Sequence, residues 1–141
     1  MKFFMVLFLA ITLFSLSPSA AFCRDVNKYT VEYNSNVLND LGKELYDFVA
    51  GLDTLENNWP VRRHITTTLF EIIDKYNCDK RLYVINRGLN IKIEEDKITG
   101  INITIFIMNS LEYIDTVFVK FDIDAVKKGD PIKMKSSRIQ I

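Results

Sequence analysis

Trp59, Pro60, Arg62, Arg63 and His64 are the densest run of chemistry-bearing side chains in the sequence. They fall where a helix should begin, because Pro60 fits the first turn of a helix and not its interior. A helix start turns backbone N–H groups and the positive end of the dipole outward. Two guanidinium groups and an imidazole at that point could hold a carboxylate or a phosphate. The plainer reading has Trp59 plugging the helix corner while the arginines stay solvated. Arg62 and Arg63 are adjacent, so on a helix they point about 100° apart. His64 is the single histidine, and its ordinary pKa near neutrality suits a general base. A base also needs a nucleophile and an orienting group, and no serine or cysteine motif supplies them. The expectation is therefore no enzyme, with His64 in a packing or capping role and a His64-dependent enzyme as the least favoured class.

Cys23 and Cys78 are the only cysteines. An even count in an exported chain predicts one disulfide, Cys23 to Cys78. The closed loop would contain 54 intervening residues, for which loop-closure entropy gives roughly 4 kcal/mol. No C-x-x-C spacing marks a redox thiol, and with one histidine a metal site is not expected. Asp122-Ile123-Asp124 near Asp130 invites a calcium reading, but the central glycine and closing glutamate of a calcium loop are missing. Loop solubility accounts for these carboxylates better. Asn102-Ile103-Thr104 matches a glycosylation triplet, on a residue that falls inside an expected strand. No cofactor is indicated.

The elements that would position these residues follow from periodicity. Residues 28–33 alternate and suggest a short first strand. Asn34, Ser35 and Asn36 can cap a helix. From Val37 the spacing is helical through Leu38, Leu41, Leu45, Phe48, Val49, Leu52 and Leu55. Residues 56–60 interrupt it. A second helix runs to about Asn77, with Val61, Ile65, Leu69, Ile72, Ile73 and Tyr76 inward and Arg62, Arg63, Thr66, Glu71, Asp74 and Lys75 outward. After Cys78 the period becomes two. Residues 81–85 form a short strand and Asn86-Arg87-Gly88 a turn. Leu89, Ile91 and Ile93 mark the next strand, and Ile101, Ile103, Ile105 and Ile107 another. Residues 113–123 make the longest strand. Residues 127–131 form a loop, and residues 132–141 a last strand whose Lys133, Lys135 and Arg138 suit an exposed edge. The fold class is α+β: a helical hairpin followed by an antiparallel meander of four to five strands, in a two-layer single domain. The element order resembles that of cystatin-like and NTF2-like folds, with no family motif beside it.

Residues 1–21 read as a cleaved export signal: Lys2, an apolar run from Phe3 to Leu16, then Ser19 and Ala21 at the cleavage positions. The apolar run is shorter than the roughly 20 residues of a spanning helix, so no stable membrane anchor is expected after cleavage. Phe22 before Cys23 is too large for lipid attachment. The mature domain, residues 22–141, carries 17 basic and 18 acidic residues, which offers nothing to nucleic acid. One feature of the sheet points outward. Phe106 and Phe118 fall opposite the core-facing rows, so either a partner or a homodimer covers them or the sheet is covered on both faces. The resulting expectation is a small exported, periplasmic or secreted, binding protein. Its most concrete version is an inhibitor or immunity-type protein acting on an extracytoplasmic protein partner. The alternative is a small-ligand binder with a cavity between helices and sheet. The candidate binding residues are Trp59, Arg62, Arg63, His64, Phe106 and Phe118.

Overall fold

In the computed structural model, residues 35–53, 55–109 and 111–137 are described. The export signal, the strand expected at 28–33, Cys23 and the end of the last strand lie outside these residues, so the Cys23–Cys78 pairing does too.

Helix α1, Ser35–Ala50, is followed by α2, Trp59–Cys78, and then by strands β1, Val84–Glu94, β2, Lys97–Met108, and β3, Ile114–Asp122. A short helix α3, Ile123–Lys127, precedes β4, Lys133–Ser136. The four strands form one antiparallel sheet in the order β1-β2-β3-β4. The chain is thus an α+β domain, a helical hairpin followed by a meander.

The two helices lie on one face of this sheet. Leu38, Leu41, Leu45 and Val49 of α1 are buried with Ile65, Leu69, Ile73 and Tyr76 of α2. They meet Ile101, Ile103, Ile105 and Ile107 of β2 and Val117, Val119 and Phe121 of β3. Each fully buried aliphatic side chain contributes about 1.5–3 kcal/mol, so the isoleucine row of β2 anchors the whole layer.

Local structure departs from the sequence expectation at five points. α1 stops at Ala50 rather than continuing to Leu55. Gly51 frays the last turn, donating to the Asp47 and Phe48 carbonyls, and the segment beyond is captured elsewhere. Ile98 N–H donates to the Leu55 carbonyl and Asn57 N–H to the Asp96 carbonyl, tying the inter-helix segment to the β1–β2 turn. Next, Asn86-Arg87-Gly88 is no turn: β1 runs through it, with Asn86, Arg87 and Gly88 paired to Phe106, Ile105 and Thr104. The interruption in pattern is a bulge, since Ile85 falls between the paired Val84 and Asn86. The real turn is Glu95-Asp96, both in the left-handed region at φ 50° and 62°. β2, not β3, is the longest strand. The Asp122–Asp124 stretch opens α3, with Asp124 N–H donating to Asp122 Oδ1 at 3.1 Å. The carboxylate is a helix cap. Lastly, Asp74, expected on the wet side of α2, is buried.

Candidate functional site

Asn58 caps α2, its Oδ1 accepting from Val61 N–H at 3.0 Å, and Pro60 occupies the first turn. This start sets the directions of the candidate cluster and splits it. Trp59, Arg62 and Arg63 turn towards β1 and, with Thr66, Thr67, Leu89, Asn90, Ile91 and Ile93, line a groove of about 340 Å³. Both arginines line it despite their angular separation. Trp59 does not plug a corner: it is 60 % exposed. His64 turns the other way, exposed at the surface, with its ring edge-on to Phe48 at 5.5 Å between centroids. The neighbouring depression is formed by Phe48, Gly51, Leu52, Asp53, Pro60 and Val61. The anion site of three cationic side chains therefore reduces to two arginines and a tryptophan.

Arg62 and Arg63 form no ion pair among the described residues, and Arg62 Nε is buried without a hydrogen-bond partner. The other ion pairs are structural. Arg81 meets Asp40 at 2.7 Å and Lys75 meets Glu44 at 3.0 Å, joining the end of α2 to α1. Tyr76 lies beneath them, its phenol pushed up to about 12 by burial, with the Glu44 carboxylate adding to the effect and Arg81 opposing it.

The second surface is the sheet face away from the helices. The register places Phe106 opposite Thr116, Thr104 opposite Phe118, and Met108 opposite Ile114. These side chains share the outer face, because their neighbours in sequence point into the core. Phe118 is 50 % exposed and Ile114 59 %, while Phe106 and Met108 are half-buried. Leu111 and Tyr113, in the β2–β3 turn at the same end, are exposed as well. Asn109 holds that turn, its Oδ1 accepting from the N–H groups of Leu111 and Tyr113. Lys120, Lys133 and Lys135 flank Phe118 on the β3–β4 side. Sequence reasoning found Phe106 and Phe118 and missed Ile114, Leu111 and Tyr113. The signal was present, since Ile114 and Phe118 lie four residues apart on one strand face.

Among the described residues no helix is long and apolar enough to cross a membrane. No protein-family model matches the chain, and no curated protein or solved structure does.

Proposed function

We propose that this chain is an exported binding protein that acts on a protein partner through the outer face of its sheet, in its most concrete form as an inhibitor or immunity-type protein. One observation supports this reading: Ile114 and Phe118, both at least half exposed, stand on the outer face of β3 from its start to its middle, and exposed Leu111 and Tyr113 continue the apolar surface into the turn before it. Apolar side chains clustered in this way favour contact with another surface, since burying each ring or branched chain removes it from water. The lysines beside Phe118 add the polar rim that such contacts carry. Strand β3 fixes Ile114 and Phe118, and Asn109 braces the turn that carries Leu111 and Tyr113, which lowers the entropy lost on binding.

The test is association measured by analytical ultracentrifugation, alone and with partner recovered from the native compartment, beside a circular-dichroism melt. Phe106→Asp and Phe118→Asp should each weaken association by at least about tenfold while the melt is retained. Unchanged association in both variants sinks the reading. Unfolding of both would place these rings in the core and sink it equally. A second reading, a small-ligand binder, draws on the apolar depression between α1 and the approach to β4, formed by Gly42, Lys43, Tyr46, Ile132 and Met134. Saturable uptake of a fatty acid, lost in Gly42→Phe, would favour it.

A further inference from the structure

The groove between α2 and β1 is distinct from the outer sheet face and has features that the open-face reading leaves unused. β1 is the first strand of the sheet, and among the described residues no strand pairs with its far side. Over residues 89–93 its backbone edge therefore carries N–H and C=O groups with no strand partner among the described residues, a template for an added strand. Leu89, Ile91 and Ile93 offer apolar side chains at every second position along this edge, and the wall facing them is α2 with Trp59, Arg62, Arg63, Thr66 and Thr67. Neither arginine has a carboxylate partner within the described part of the chain. Lys92 alternates to the opposite sheet face, where it pairs with Glu94 at 3.6 Å, so the groove's positive charge is that of the two arginines.

We propose that this groove binds an acidic peptide segment of a partner protein in extended form, as an added antiparallel or parallel strand on β1. Backbone hydrogen bonds to the edge supply affinity without regard to sequence, and pockets for alternate side chains supply selectivity. An extended chain repeats every second residue. It can therefore set apolar side chains against Leu89 and Ile91 and carboxylates against Arg62 and Arg63. Guanidinium groups match carboxylates in a two-pronged geometry, which favours Asp and Glu over a neutral polar segment. A helical partner does not fit this account, because its backbone groups are already paired and cannot extend the sheet.

Trp59 is the only tryptophan in the sequence, so its fluorescence reports directly on this groove. The probe is a short capped peptide of alternating Glu and Val, titrated into the full mature chain. A saturable change in Trp59 emission is expected, with amide shifts in two-dimensional NMR concentrated at residues 89–93. Replacing Glu by Lys in the peptide should abolish the change. Replacing the central Val by Pro, which removes a backbone donor, should weaken it by at least about tenfold. Arg62→Glu with Arg63→Glu should do the same at an unchanged melting temperature. Should that double variant unfold, Arg62→Gln with Arg63→Gln serves in its place. The proposal fails if no saturable change occurs, if the Lys or Pro peptides bind as well as the acidic one, or if the arginine variants bind normally. Inorganic phosphate reproducing the full effect would also overturn it, because the groove would then be a simple anion site. Phe118→Asp should leave this binding intact, which separates the outcome from that of the open-face reading.

Discussion

Asp74 and Arg87 are the residues whose pattern and placement disagree most. Asp74 lies beside Ile73 on α2 and has the composition of a wet-side residue, yet its side chain is 3 % exposed. It is held by Arg87 Nη2 at 2.9 Å, and the same guanidinium lies 4.3 Å over the Phe70 ring. The sequence hid this pair because both partners sat in misleading contexts, one on an apparently polar helix face and one inside an apparent turn. Burying two charges costs several kcal/mol that their attraction must offset, so removing one partner is worse than removing both. Arg87→Ala should destabilise the fold by about 3–5 kcal/mol in urea unfolding. Arg87→Met combined with Asp74→Leu should cost clearly less. Tyr76 gives a pH dependence of definite sign. Its folded pKa is raised above the unfolded value of 10.0 to about 12. The stability linked to it is then complete below pH 10 and is lost as pH rises towards 12, because only the unfolded state has released the proton there. Tyr76→Phe should flatten the melting-temperature decline across that window.

The elements are stopped and joined by side chains that a pattern search does not weigh. α2 ends in a Schellman motif: Lys80 N–H donates to the Asn77 carbonyl at 3.2 Å and Arg81 N–H to the Tyr76 carbonyl at 2.9 Å. The left-handed residue at its centre is Lys80, at φ 62°, where glycine is usual. Lys80→Gly should therefore stabilise the protein by a few tenths to about 1 kcal/mol, read as a rise in the denaturation midpoint. α1 is stopped from afar. Lys127 Nζ of α3 donates to the carbonyls of Ala50 and Leu52, closing the frayed end that Gly51 leaves. Lys127→Ala should cost about 1 kcal/mol, and Lys127→Arg should restore part of it. The helix stripes and the isoleucine row of β2 were legible because they are long and strongly periodic. The end of α1, the continuity of β1 and the existence of α3 were not, since each depends on a partner distant in sequence. Gly88 looked like a turn residue, but its left-handed freedom goes unused: only Gly129 among the described glycines has positive φ.

At the scale of the whole molecule, the layer order followed from counting periods: two helical stripes, then consecutive alternating runs. That reasoning gave the α+β class and set Phe106 and Phe118 opposite the core-facing rows, but left open whether that face was covered. Among the described residues Phe118 and Ile114 are half or more exposed, and the cross-strand register that sets Phe106 beside Thr116 and Phe118 beside Thr104 is invisible to periodicity. The same holds for the candidate cluster, whose division between Trp59 and His64 needed the direction of α2. Processing gives a further expectation. The mature chain should begin at Phe22 and carry a bond between Cys23 and Cys78. Intact mass under non-reducing conditions checks both at once, and two free thiols or an added lipid mass would exclude it. His64→Ala should leave biological activity within a few-fold of wild type, in keeping with its exposed contact to Phe48.

The hydrogen bonds from Ile98 to Leu55 and from Asn57 to Asp96 have a consequence for how the domain opens. They join the crossing between the helices to the tip of the first hairpin. The helical layer cannot lift off the sheet without breaking both, and the hairpin tip cannot fray without releasing the helix crossing. The amide protons of Asn57 and Ile98 should then exchange with solvent deuterium at one shared rate. Glu95→Asn with Asp96→Gly, which suits that two-residue turn better, should slow both together.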